Sequence, residues 1–147
     1  AKKFAVNYKD EKFFQIISSG ATYGQAYGFA ICSLMEMQWI NATAVHSGEY
    51  FHGPFEVTDN ESMYVVLESL GRTRSLDERA KSFITSHSQK VEILDAKELG
   101  LDLINAAVVE YFNPILFYTV LSEYRSQLAI ARQHPLEVRR YMGKVSY

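Results

Sequence analysis

Between Lys12 and Glu49 the chain carries one formal charge, Glu36, set among Tyr23, Phe29, Ile31, Leu34, Met35, Met37 and Trp39. A carboxylate in such a run is expected to be buried. Burial disfavours the ionised form and raises the pKa, which makes a glutamate a proton carrier useful near neutral pH. His52 follows sixteen positions later in Glu49-Tyr50-Phe51-His52-Gly53-Pro54 and is the natural partner of that carboxylate. Plainer readings of the same residues stay open. Glu36 can form a structural ion pair with Arg139 or Arg140, and His52 can be a helix cap or a surface histidine. His46, Glu49 and His52 recur at intervals of three, with Glu36 as a possible fourth metal ligand. Gly48 interrupts the helix that would align them and His87 and His134 lie far along the chain, so no metal is expected. Ser47 and Cys32 lack the base and orienting group that a nucleophile needs.

The elements that must position these groups alternate between strand and helix. Phe13-Phe14-Gln15-Ile16-Ile17 reads as a strand buried on both faces, ending at the turn Ser18-Ser19-Gly20. Thr22 can cap a helix running to about Ile40. Its glycines at 20, 24 and 28 would allow close approach to the sheet, and its start could instead receive a ligand anion. The Gly-Lys-Ser/Thr ending of a nucleotide-binding loop is missing. Ala42–Val45, Ser62–Leu67 and Val91–Leu94 are further strands. A capping box, Ser75 to Glu78, opens a helix through about His87. From about Leu101 to Gln133 the chain reads as helical with a break at Asn113-Pro114. Residues 1 to 12 read as a frayed helix or linker. Tyr111, Phe112, Phe117 and Tyr118 are expected to pack against the sheet or a sister subunit. Strands alternating with helices imply a doubly wound, mainly parallel sheet of about five strands in a three-layer α/β/α sandwich. Ligands of such sheets bind beyond the carboxyl ends of the strands, where Ser18, Ser19 and Thr22 on one turn and Ser47, Glu49 and His52 on the next would lie.

Composition narrows the class. A chain of 147 residues, 48% hydrophobic and 22% charged, is one domain with a core of its own. Net charge of -2 with both signs interspersed offers no basic stripe, so neither nucleic acid nor membrane is expected as a partner. Tyr23 to Ile40 is interrupted by Gly24, Gln25, Gly28, Ser33, Glu36 and Gln38, unlike a membrane span. The single cysteine, Cys32, allows no internal disulfide. Ala1-Lys2-Lys3 shows no signal peptide, so a cytoplasmic location is expected. The missing initiating Met suggests a fragment of a longer polypeptide.

Glu36, Ser47-Gly48-Glu49 and Phe51-His52-Gly53-Pro54-Phe55-Glu56 together resemble the second sugar isomerase (SIS) domain of phosphosugar isomerases and fructosamine 6-phosphate deglycases. The carboxylate-to-histidine spacing and the His-Gly-Pro step are similar to those of the isomerase half of glucosamine-6-phosphate synthase. The resemblance to the deglycases extends to Met35-Glu36-Met37-Gln38-Trp39 and Arg139-Arg140-Tyr141-Met142, with the 6-phosphofructose-aspartate deglycases matching best and the fructoselysine 6-phosphate enzymes next.

The resemblance implies that Glu36 moves a proton between the first two carbons of an open-chain sugar. It implies that His52 opens the sugar ring and assists, supplied across a subunit boundary. Lys144, in a tail spanning residues 134–147, lies near a lysine that approaches the sugar in the synthase. The implied reaction splits an Amadori product into glucose 6-phosphate and an amino acid with no cofactor; an isomerase, an amine-transferring enzyme or a non-catalytic sugar-phosphate sensor are the alternatives. The family carries a Ser-x-Ser-Gly-x-Thr phosphate loop on its first SIS domain, and Ser18-Ser19-Gly20-Ala21-Thr22 only partly echoes it. The expectation is therefore a C-terminal half that needs an upstream SIS domain and a homodimer or higher homo-oligomer to complete its site.

Overall fold

The computed structural model describes residues 1–147. Four strands form one sheet: β1 (Phe13–Ser18), β2 (Asn41–His46), β3 (Met63–Glu68) and β4 (Val91–Asp95), in the order β2-β1-β3-β4 with every pair parallel. Side chains alternate between the faces of such a sheet. Phe14 and Ile16 of β1 and Met63, Val65 and Leu67 of β3 enter the larger core, with Phe4, Phe29, Leu34, Phe117 and Leu128. Ile17, Tyr64 and Val66 enter a smaller core on the other face, with Ala80, Ile84 and Tyr50. Each of these aliphatic side chains contributes roughly 1.5–3 kcal/mol on full burial. The larger core is roofed by α1 (Lys2–Tyr8), α2 (Tyr23–Gly28) with its continuation, and α4 (Asn113–Arg132); the smaller is covered by α3 (Arg74–His87). The result is the expected three-layer sandwich with a parallel sheet. It has four strands rather than five because the residues after β4 form only turns and short 3-10 segments, Leu101–Leu103 and Val109–Phe112, before α4. No helix is long and apolar enough to cross a membrane.

Several local expectations are corrected. Residues 1 to 12 are not frayed: Phe4 is buried and packs on Phe14 and Tyr124, so the helix is part of the core. Asn113-Pro114 starts the long helix instead of breaking it, as suits a proline whose missing N–H costs nothing in a first turn. No capping box forms at the start of α3, where neither Thr73 nor Ser75 caps. Gly24 and Gly28 face open space, so they allow no close approach to the sheet. Of these three glycines Gly20 alone is demanded by geometry: its φ is +54° and a Cβ there would sit 2.5 Å from Thr73 Oγ1. Of the four aromatics expected at an interface or on the sheet, Phe117 is fully buried while Tyr111 and Tyr118 are exposed.

Candidate active site

Glu36 stands where a helix goes out of register. After α2 the chain continues as a π-helix over Phe29–Glu36, a conformation rare at this length and concentrated at functional sites. The helical run ends because Trp39 takes the left-handed conformation, φ 56°, which strains a bulky residue by about 1 kcal/mol or more. The Ile40 N–H then reaches back to the Leu34 carbonyl at 2.9 Å.

The C-terminal tail packs on this ending. Gln38 Nε2 donates to the His134 carbonyl at 2.9 Å, and the His134 ring meets the Trp39 indole edge-on at 4.5 Å. Residues 139–142 close a cleft of about 330 Å³ with Met35, Glu36, Trp39, Ile40 and Asn41. Inside it Arg139 Nη2 lies 2.8 Å from Glu36 Oε1. The Glu36 side chain is 26% exposed and paired, so the expected isolation of a lone buried carboxylate is not found; the plainer reading, an ion pair with Arg139, is. Arg140 lays its guanidinium over the Trp39 ring, 4.4 Å from the centroid. Lys144 Nζ donates to the Arg139 carbonyl, tying the end of the tail to the same corner.

The carboxyl end of the sheet holds a second polar cluster. Ser18 Oγ donates to the Leu67 carbonyl at 3.3 Å and Ser19 Oγ to the Thr73 carbonyl at 3.2 Å. Thr22 does not cap the helix, and its buried Oγ1 has no partner. Ser47 Oγ donates to Asp77 Oδ1 at 2.6 Å, while Asp77 Oδ2 accepts from the Ser69 N–H and hydroxyl. The fully buried Asp77, in the first turn of α3, thus ties the loop after β2 to the loop after β3. Sequence reasoning passed over it as the interior of a capping box; its place soon after the strand exit at Ser69 was the only hint. His46 Nδ1 faces the Gly48 N–H at 3.0 Å and Nε2 the Gly20 N–H at 3.3 Å. A neutral imidazole has one acceptor nitrogen, so only one contact is a full hydrogen bond, and the ring is engaged with backbone. No three His, Cys, Asp or Glu side chains converge as a metal site would require.

At the same end Arg74 forks onto Asp95, with both bonds 2.8 Å, and this hydrogen bonding holds the Asp95 carboxyl below the usual range while pushing Arg74 upward. Buried Glu68 pairs with Lys81 at 2.5 Å. Arg74 Nη2 lies 2.6 Å from Glu68 Oε1, a charge contact without hydrogen-bond alignment.

Glu36 and His52 are not brought together within one chain. Glu36 precedes the start of β2, whereas His52 lies six residues beyond its end, on the 3-10 segment Tyr50–His52. The six residues of β2 alone span about 20 Å at roughly 3.3 Å per residue. His52 is 70% exposed, and its only partner is the equally exposed Glu49, 3.2 Å away from Nδ1. Ser18, Ser19, Thr22, Ser47 and Glu49 therefore share the His52 end, and Lys144 shares the Glu36 end.

No protein-family model matches the chain. Among curated proteins it is 45% identical over all 147 residues to fructosamine deglycase FrlB of Bacillus subtilis (strain 168). The chain is a homologue of the fructosamine deglycases. It is also 26% identical over 127 residues to fructoselysine 6-phosphate deglycase of Escherichia coli (strain K12). A Salmonella typhimurium LT2 structure assigned to a phosphosugar isomerase superposes with a TM-score of 0.96 at 48% identity, covering 99% of this chain and 45% of that one. The homologue described here spans 45% of the Bacillus deglycase and 36% of the Escherichia coli one, less than half of either.

Proposed function

We propose that this chain is the C-terminal half of a deglycase that splits a fructosamine 6-phosphate into glucose 6-phosphate and an amino acid. The observation that carries the reading is the cleft presenting Glu36, in a chain 45% identical along its whole length to a fructosamine deglycase. The substrate is a 1-amino-2-ketose. Glu36 takes a proton from the first carbon, giving an enaminol, and returns one to the second carbon, giving an imine. Water adds to the imine carbon, the C–N bond breaks, and the amine leaves with a proton. One positioned carboxylate serves both transfers, so the chemistry calls for no metal or organic cofactor.

In this reading the site is composite. The separation of Glu36 from His52 supports a homodimer in which His52 of one copy, oriented by Glu49, opens the sugar ring at the Glu36 cleft of the other. The upstream half supplies the main phosphate-binding loop. Ser18, Ser19, Thr22 and Ser47 approach the site from the His52 side, and Lys144 from the tail side. A phosphosugar aldose–ketose isomerase is the second reading, favoured by the assignment of the 48%-identical Salmonella structure.

The test uses the protein joined to its upstream half, with and without Glu36→Gln, on a panel of fructosamine 6-phosphates and on fructose 6-phosphate. Glucose 6-phosphate released from an amine adduct and lost in the variant supports the deglycase. Glutamate-dependent interconversion of fructose and glucose 6-phosphates alone supports the isomerase. Ligand binding without turnover in either protein leaves a sensor.

A further inference from the structure

We infer that Arg140, laid on Trp39, is the subsite that receives the carboxylate of the substrate's amino-acid part; this rests on the deglycase reading. The charged residues lining the cleft are Glu36, Arg139 and Arg140, so it carries one positive charge in excess. Arg139 is already engaged: Nη2 is on Glu36, and Nη1 donates to the carbonyls of Leu136 and Val138.

Arg140 stands differently. Its guanidinium covers the indole face at 4.4 Å, and no carboxylate or carbonyl of the chain accepts from it. The indole is itself held, by the left-handed backbone of Trp39 and by edge contact with His134. Stacking occupies the flat face of a guanidinium and leaves its N–H edge free, the geometry that grips a carboxylate through two parallel bonds. Arg140 is exposed at the mouth of the cleft, so its edge is open to an incoming anion, and it stands one residue from the arginine that pairs with Glu36.

The chemistry of an Amadori adduct supplies the missing anion at the right place. In an α-amino acid adduct the carboxylate carbon is three bonds from the first sugar carbon, within about 4 Å at roughly 1.5 Å per bond. Glu36 must work on that same carbon. Any site that lets Glu36 reach it therefore carries the carboxylate into the neighbourhood of Glu36, where Arg140 waits. The 6-phosphate is the other anion of the substrate, its phosphorus seven bonds from the first carbon along the sugar. A plain phosphosugar would bring no second anion into the cleft.

Two adducts of glucose 6-phosphate separate these sources: one formed with glycine, the other with methylamine, which differs by loss of the carboxylate. Both are assayed for glucose 6-phosphate release by the two-halved protein, its Arg140→Ala form and its Arg140→Lys form. Arg140→Ala is expected to lower kcat/KM for the glycine adduct by roughly 10- to 100-fold more than for the methylamine adduct, as loss of a charge-assisted hydrogen bond predicts. Lysine, which keeps the charge without the fork, should recover part of that difference. Equal loss on both adducts would place Arg140 on the 6-phosphate or in support of Trp39 and overturn the assignment, as would no loss on either. Release from neither adduct by the unaltered protein would instead overturn the deglycase reading and the subsite with it.

Discussion

Two inactive proteins should make one active mixture. In the proposed mechanism Glu36→Gln removes the proton carrier and His52→Ala the ring-opening group, so each variant alone should lose nearly all release of glucose 6-phosphate. Proton transfer needs heavy atoms within about 3 Å of the reacting group. Within one chain Glu36 and His52 flank opposite ends of β2, a strand about 20 Å long at roughly 3.3 Å per residue, which is far more than side-chain rotation can close. If the site takes Glu36 from one copy and His52 from the other, a mixed dimer has one site with both replacements and one with neither. Random exchange of copies puts half of the dimers in the mixed form, and half of their sites are intact. The mixture should therefore recover roughly a quarter of the original activity. The assay is release of glucose 6-phosphate after the variants, each joined to the upstream half, are mixed under conditions that allow exchange. Assembly is followed by sedimentation. No recovery despite demonstrated exchange would mean that Glu36 and His52 do not share a site, and the composite mechanism would fall.

The remaining predictions concern the scaffold. Asp77→Ala should cost about 3 kcal/mol, since it leaves the buried hydroxyls of Ser47 and Ser69 and one buried N–H without an acceptor; urea unfolding measures it, and a loss under 1 kcal/mol would show the network to be incidental. Gly20→Ala should destabilise by more than about 1 kcal/mol, because its φ of +54° and the nearby Thr73 hydroxyl oppose a side chain, whereas Gly24→Ala, with nothing within 4 Å, should stabilise by up to about 1 kcal/mol. Hydrogen bonding from Arg74 lowers the Asp95 pKa in the folded protein. Asp95 thus contributes stability above its unfolded value of about 3.9, and that contribution is lost as pH falls through the lower folded value. Asp95→Asn should flatten that acid limb in unfolding measurements. Burial, then hydrogen bonding to Glu92, pushes Tyr124 up, so its contribution is full below about pH 10 and lost as pH rises through the folded value; Tyr124→Phe should remove that alkaline slope.

The strands were legible because each carries its own local signal. Phe13–Ile17, Ser62–Leu67 and Val91–Leu94 are short apolar runs rich in β-branched or aromatic residues, bounded by turn residues, and each lies within one or two residues of an observed strand. Helix ends were read less well. The sequence signals at Thr22 and at Ser75 to Glu78 describe what a side chain can cap, whereas the folded chain used nearby groups otherwise, Asp77 above all. Nothing in Phe29–Glu36 announces a π-helix, because its cost is offset by packing against β1 and β2 rather than by the residues themselves.

By itself the sequence determined the alternation of strand and helix, and with it a parallel sheet between helical layers. It also singled out Glu36, since one charge in a run of thirty-six residues is visible without coordinates. Spacing along the chain suggested that Glu36 and His52 meet. Only the tertiary structure shows that they do not meet within one chain, because a helix and a strand of a parallel βαβ unit run in opposite directions, and residues flanking the strand emerge at opposite ends of the sheet. It also decided what Glu36 does meet: Arg139, about a hundred residues later, brought home by the Schellman turn at Gln133 and the bond from Gln38 to His134. Such contacts depend on the path of the whole chain, and no local pattern encodes them.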